Sequence, residues 1–248
     1  MKKTTLAILL SGLISTTAMA DNIGIYIGGH IWDNEAEGAL GGDKTGLIDF
    51  DLKDQEEGSF FIAIEHPLPF IPNLKISSTT LDTTGNTTLT KEFEFGGEVF
   101  EINSEVDALF DVSYLDYTLY YEFFDNDILS FDGGFSVRDF DGDVIIKNEL
   151  ITGTLRITDM VPLLYASTNV GIPGTGFNFF AEGNFLSYDD HTLYDYQAGV
   201  SYELLDNLAV DLNLILGYRV IKLELEDLDG LYSDVEFKGA FAGAVVHF

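Results

Sequence analysis

Leu115-Asp116-Tyr117-Thr118-Leu119-Tyr120-Tyr121-Glu122-Phe123 decides the fold. Leu115, Tyr117, Leu119, Tyr121 and Phe123 fall on one face, and Asp116, Thr118, Tyr120 and Glu122 on the other. A period of two marks a strand with unlike faces. The pattern recurs. Leu129, Phe131, Phe135 and Val137 alternate with Ser130, Asp132, Ser136 and Arg138. Tyr194, Tyr196, Ala198, Val200 and Tyr202 form another such face, as do Val210, Leu212, Leu214, Leu216, Tyr218 and Val220.

Ten segments carry it: 23–33, 58–66, 74–84, 112–124, 129–140, 161–172, 177–188, 194–203, 209–222 and 235–248. Short breaks (67–73, 125–128, 173–176, 204–208) alternate with mostly longer, acidic ones (34–57, 85–111, 141–160, 189–193, 223–234). Gly96-Gly97, between Glu92–Phe95 and Glu98–Ile102, marks a hairpin rising from the second long break. Alternation alone does not say which face points outward, since a soluble barrel puts its apolar face inside and a membrane barrel puts it outside. Three features favour lipid outside. Short turns alternate with long loops, the segments are long enough to cross a bilayer at a tilt, and Asp116, Arg138, Glu182 and Arg219 sit at mid-strand, where an apolar core would exclude them.

The ends agree. Lys2-Lys3, an apolar run from Leu6 to Ile14 and Ala18-Met19-Ala20 have the form of a signal peptide over residues 1–20, cleaved after Ala20. The apolar run is too short to span a membrane as a helix. At the other end Phe248 closes a strand through Val246, Ala244, Ala242 and Ala240, like the assembly signal read by the outer-membrane barrel-assembly machinery. Phe70, Phe123, Phe124, Phe177, Phe179 and Tyr202 gather near the short turns with it, as an interfacial girdle does. The expected architecture is all-β: one closed antiparallel transmembrane β-barrel over residues 21–248, with both termini periplasmic. About ten strands are expected, with eight or twelve as alternatives.

Composition narrows the partners. The 248 residues hold 12 basic and 42 acidic side chains, a formal charge of −30, yet 46% are hydrophobic. That much apolar material argues against disorder, and the charge repels nucleic-acid phosphate. There is no cysteine, so disulfides, thiol catalysis and cysteine-based zinc sites are excluded.

The segments EHPLPFIPN (65–73), IPGTGFNFFAEGNFLSY (172–188), LGYRVIKLELEDLDG (216–230) and FKGAFAGAVVHF (237–248) resemble a family of small proteobacterial outer-membrane β-barrel proteins without an assigned activity. The resemblance spans nearly all of the chain after residue 20. It implies the barrel and its location in the outer membrane of a Gram-negative bacterium, and no mechanism.

A barrel of this size has little free lumen, because eight strands are already filled by side chains. The inward positions are Glu65, Lys75, Asp116, Glu122, Asp132, Arg138, Glu182, Asp195, Glu203, Asp211 and Arg219. Eight acids among three bases imply either a plugging network with Arg138 and Arg219 as hubs, or a narrow cation-selective path. In the outer loops Asp139, Asp141 and Asp143, and Glu226, Asp227 and Asp229, offer oxygen ligands around glycine turns. Neither run has the distal glutamate of a full calcium loop, so loosely held calcium or magnesium is the expectation, and no organic cofactor. Expected partners are outer-membrane lipid and lipopolysaccharide, met through divalent cations, or an external partner, with the chain monomeric.

Histidines are few: His30, His66, His191 and His247. Asp189-Asp190-His191 is loosely similar to the acid–histidine pairs of ten-stranded outer-membrane proteases, the omptins. No histidine and serine share a face at close spacing, His30 with loop serines being the open case, so an outer-membrane hydrolase remains an alternative without a convergent constellation. The orientation of the faces is testable. Leu119→Arg should cost about 2–4 kcal/mol if Leu119 faces mid-bilayer lipid, read by denaturant unfolding in lipid vesicles. An unchanged midpoint would mean the faces are reversed.

Overall fold

The computed structural model describes residues 23–42, 46–68, 70–126, 128–188, 191–207 and 210–248. The signal peptide expected over residues 1–20, with its cleavage point, and the acids Asp189 and Asp190 lie outside them. In chain order the strands are β1 (Gly24–Gly41), β2 (Ile48–Asp49), β3 (Gln55–Glu65), β4 (Asn73–Thr79), β5 (Asp82–Thr88) and β6 (Phe93–Phe95). There follow β7 (Glu98–Phe100), β8 (Glu105–Asp111), β9 (Tyr114–Asp125), β10 (Leu129–Phe140), β11 (Gly142–Lys147) and β12 (Thr152–Ile157). The chain ends with β13 (Met160–Ile172), β14 (Phe177–Tyr188), β15 (His191–Leu205), β16 (Asp211–Leu228) and β17 (Leu231–His247).

Ten of these close a barrel in the order β17-β16-β15-β14-β13-β10-β9-β4-β3-β1, sealed by pairing of β1 with β17, with the short β2 added beyond β1. Every barrel pairing is antiparallel. Closure removes the unpaired strand edges that lipid would not tolerate. Both described ends of the chain meet at the short-turn rim, where Ile25 and Phe248 exchange backbone hydrogen bonds of 3.3 and 3.0 Å. That rim is the periplasmic one. Around the belt Phe60, Ile62, Ile76, Leu119, Phe135, Leu164 and Leu216 point outward and are exposed. The alternation of residues 115–123 thus places its apolar face outside.

The barrel wall is uneven. β4 has 7 residues, whereas β1 and β16 have 18 each and β17 has 17. The tall strands continue past the lipid belt with their faces inverted. On β1 the outward side chains run Ile25, Ile27, Ile31 and then Asp33, Glu35, Glu37, while the inward ones turn from His30 to buried Trp32, Ala36 and Leu40. On β16 the outward series passes from Leu216 and Tyr218 to Lys222 and Glu224, and the inward series becomes Ile221, Leu223 and Leu225.

Onto this inverted face folds a second sheet, β12-β11-β8-β5, drawn from the two long insertions after β4 and β10. Phe110 of β8 lies over Phe237 of β17, with ring centroids 6.2 Å apart. Phe50, Phe93, Phe95, Phe100, Val144 and Ile146 complete the apolar core. The β6–β7 hairpin turns on Gly96-Gly97, whose φ values of 60° and 79° suit glycine. The outer mouth is therefore capped by a small β-sandwich with an apolar core.

Two expectations need correction. The long breaks read as acidic are not only that, because Leu89, Phe93, Val106, Phe110, Val144 and Ile146 within them are buried in the apolar core. The break expected at 223–234 is mostly strand, with β16 and β17 joined through Asp229-Gly230 at φ 50° and 83°.

Cap and barrel meet at three acids without a base. Asp82 and Asp111 stand directly opposite one another across β5 and β8. Buried Glu57 accepts a 3.0 Å hydrogen bond from the Asp82 N–H. Glu56, beside it, pairs with Asp33 beyond the apolar belt. Burial, aided by the charges of Asp82 and Asp111, pushes the Glu57 carboxyl from 4.5 up to about 7. Burial and then Asp111 raise Asp82 as well. A carboxyl raised on folding contributes stability that is fully present below its unfolded value and is lost as pH rises through the folded one. Thermal unfolding should therefore fall to lower temperature between pH 5 and pH 8. Glu57→Gln, which keeps the acceptor for Asp82, should flatten that response, and an unaltered slope would assign it to other groups.

Candidate functional site

The inward face of the barrel carries polar side chains in layers, because alternate positions of every strand meet there. In the middle layer, cross-strand neighbours Asp116 and Arg138 pair through two bonds, from Nε and Nη2 at 2.9 and 2.8 Å. Arg138 Nη2 also crosses the lumen to Asp195 Oδ2 at 2.7 Å. Asp195 in turn receives Arg219 through Nε and Nη2 at 2.9 and 2.8 Å. Tyr114 donates to Asp195 at 2.7 Å and accepts from Arg219 at 2.9 Å, with the Arg138 guanidinium 3.5 Å from its ring centroid. Thr118, Ser136 and Asn184 extend the chain of bonds at 2.7 Å per step. Arg138 is fully buried and Asp116, Asp195 and Arg219 nearly so. Two bidentate pairs, Arg138 on Asp116 and Arg219 on Asp195, linked by the single Arg138–Asp195 bond, give a geometry that compensates buried charge.

A second tie lies nearer the periplasmic rim, where Lys75 of β4 reaches across to Glu182 of β14 and lies over the Phe61 ring at 4.5 Å. Between these layers a residual cavity of about 30 Å³ remains, bordered by His30, Gln197 and Arg219, which is room for about one water. Above the guanidinium layer, Trp32 and the cap core fill the barrel.

The structure gathers Asp116, Arg138, Asp195 and Arg219 into one cluster and places Glu182 in the second tie. It does not bring the remaining expected members into that cluster. Asp132 takes a 2.6 Å bond from Ser167, and Glu122 a 3.4 Å bond from Asn73, both nearer the rim. Asp211 sits at the rim itself, 3.1 Å from His247 Nδ1. Tyr114, Thr118, Ser136 and Asn184 were missed. Their signal was parity: each shares the inward face with an expected residue, but neutral side chains carry no charge to single them out.

Of the loop acids expected to hold a metal, Asp141 lies 3.6 Å from Arg156 in an exposed pair, and Asp143 stands opposite Arg156 in register. Asp139 stands opposite Leu115 and Met160. Asp229 accepts from the Thr158 N–H at 2.8 Å, and Asp227 occupies a turn at φ 62°. The Glu226 N–H donates to His191 Nδ1 at 3.3 Å. Among the described residues no three acids or histidines converge as a metal site would require. His30 points into the lumen, 3.5 Å from Arg219 and against Phe241 with the rings tilted by 36°, rather than toward loop serines.

No family model and no curated protein matches the chain. Among solved structures it is similar to the outer membrane protease OmpT of Escherichia coli, with a TM-score of 0.52, 10% identity, and 95% of this chain and 100% of that one covered. It is also similar to the translocator domain of the autotransporter NalP of Neisseria meningitidis (TM-score 0.46, 11% identity, 99% and 94% covered). A third is Ail of Yersinia pestis (TM-score 0.32, 11% identity, 92% and 99% covered). At such identity the likeness to OmpT shows the fold alone: an outer-membrane-type β-barrel.

The cluster has an asymmetric energetic signature. Asp195→Ala strips two buried guanidiniums of a shared carboxylate, so it should destabilise the barrel by about 3–5 kcal/mol. Glu203→Ala, at an exposed inward position near the rim, should stay within about 0.5 kcal/mol. Urea unfolding of both variants in lipid checks this, and equal effects would remove the cluster from its structural role.

Proposed function

We propose that this protein is a closed, non-conducting barrel of a Gram-negative outer membrane that acts through the surfaces it presents. One observation carries the reading: the lumen is crossed by the Arg138–Asp195–Arg219 layer and covered by an apolar cap. Conduction needs a continuous polar path with sites an ion can both enter and leave. Here the arginines already neutralise the mid-lumen carboxylates, and above them the interior is lined by Leu223, Leu225, Val235 and Phe237. The narrow cation channel is thereby disfavoured. The hydrolase reading also lacks a wet cleft at the outer mouth, where the cap core lies.

The outer surface supports contact with lipopolysaccharide. Just beyond the belt, outward positions carry Asp33, Glu35, Glu37, Glu224, Asp234 and Glu236. The two lysines among them are engaged, Lys222 with Asp234, and Lys238 with Glu37 and Glu236. Such a rim, level with anionic headgroups, holds the protein there through shared magnesium or calcium. At the opposite rim exposed Phe248 suits recognition by the assembly machinery.

Planar bilayers with lipopolysaccharide in one leaflet test both halves. The folded protein should give no resolvable current steps, and its thermal unfolding in lipopolysaccharide vesicles should rise with magnesium and fall on chelation. Reproducible single-channel steps would overturn the closed reading. Indifference to magnesium would overturn the surface one.

A further inference from the structure

Below the Lys75–Glu182 tie the barrel opens into a blind vestibule of about 300 Å³ facing the periplasmic rim. Five carboxylates line it, those of Glu65, Glu122, Asp125, Asp132 and Glu182, against one base, Lys75. Lys75 is committed to Glu182. Among the described residues the other four acids have no ion-pair partner. Neutral groups serve them, with Tyr120 donating to Glu65 at 2.8 Å, Asn73 to Glu122 at 3.4 Å and Ser167 to Asp132 at 2.6 Å, while Glu65 and Glu122 also lie within hydrogen-bond reach of each other. Asp132 Oδ1 is buried and has no donor. Glu122 and Asp125 are exposed, so a solute meets them on entry. Tyr26, Phe61, Tyr165 and Phe180 add aromatic faces to the wall, beside polar Ser130, Thr168 and Asn169.

Charge balance makes this end unlike the middle. In the layer above, Asp116 and Asp195 are matched by Arg138 and Arg219, and Glu182 is matched by Lys75. Below it the balance stops, and a walled pocket of one sign concentrates counter-ions. The occupant's shape follows from what the acids do not do. A calcium-like ion needs six to eight converging oxygens, and no three acids or histidines converge among the described residues. Carboxylates spread between aromatic faces suit a longer cation, whose ammonium groups pair with separate acids while its methylenes lie on the rings. The volume is at the small end for ligand pockets.

We propose that the vestibule binds a small aliphatic polyamine entering from the periplasmic side. The closed layer above means that such a ligand is held, not passed. This binding does not depend on how the outer rim meets lipopolysaccharide.

Calorimetric titration of putrescine and spermidine into the full chain folded in zwitterionic detergent tests it. Wild type should show saturable one-to-one binding, with spermidine tighter than putrescine. Glu122→Gln and Asp132→Asn should each weaken spermidine by about tenfold, as expected for loss of a charge-assisted contact. Glu35→Gln on the outer rim should leave affinity unchanged. Both vestibule variants remove uncompensated charge at constant shape, and heat-modifiable gel migration verifies that they fold. Phe61→Leu gives an independent reading of the aromatic wall and should also weaken spermidine. Absence of saturable heat would overturn the proposal. So would equal loss in the rim variant, or magnesium binding at the same site more tightly than spermidine.

Discussion

The Asp195 carboxylate, shared by two buried guanidiniums, is the contact on which the rest of the barrel depends. Arg138 reaches it from β10 and Arg219 from β16, so one acid ties opposite walls through bonds of 2.7 to 2.9 Å. Burying two arginines costs several kcal/mol per ion in desolvation, offset here by two bidentate carboxylate pairs although Arg138 Nη1 is buried without a partner. Asp116 supplies the second bidentate pair and Tyr114 bridges by its hydroxyl. Net charge within the layer is zero. That neutrality lets the lumen close down to a cavity of about 30 Å³, and closure separates a periplasmic vestibule from an outer cap.

The layer also lies just below the height where the strands exchange their faces. Beneath Trp32 the inward side is polar because lipid occupies the outside, and above it the outside meets water, so the apolar side chains turn inward. Nothing interrupts the alternation of β1, β16 or β17 at this boundary. What changes is which parity is apolar: Ile31 gives way to Asp33 outside while His30 gives way to Trp32 inside. The two long insertions supply the second sheet because a lone inverted wall would leave Leu223, Val235 and Phe237 in water. Face-to-face burial of two sheets is the usual remedy.

Much of this was legible in the chain. A strict period of two at 115–123, alternating turn lengths and the C-terminal Phe248 gave ten strands and the outward face. Arg138 and Arg219 stood out because a charge at mid-strand has nowhere to go but inward. The cap was not legible. In segments such as Glu105–Asp111, apolar Val106, Ala108 and Phe110 alternate with acids as barrel strands do, but no local signal says whether they join the barrel or lie across its mouth. Partners across the lumen were hidden for a related reason. Register along a hairpin follows from turn length, whereas contact between β10 and β15 follows from closure, which is a property of the whole ring. Hence Asp116, Arg138, Asp195 and Arg219 were legible as inward positions and the two arginines as hubs, while which carboxylate each arginine meets could not be read.

The charge of −30 now divides into populations with different consequences. Mid-lumen acids are neutralised by arginine and lysine and contribute shape. Outer-rim and most cap acids are exposed, where solvent and counter-ions screen them within about 10 Å, Glu57 beneath the cap being buried. The four vestibule acids without a base form a third population: Glu122 and Asp125 are exposed at the entrance, Glu65 and Asp132 are partly buried, and together they share a concave wall with aromatic rings that focuses the field into one opening. Such an arrangement is costly for folding alone, since Gln and Asn would fill the same space without repulsion. A pocket that keeps four uncompensated carboxylates beside a lumen otherwise balanced charge for charge has the electrostatics of a site completed by a cation from outside. Because the passage above is shut, that cation returns by the way it came.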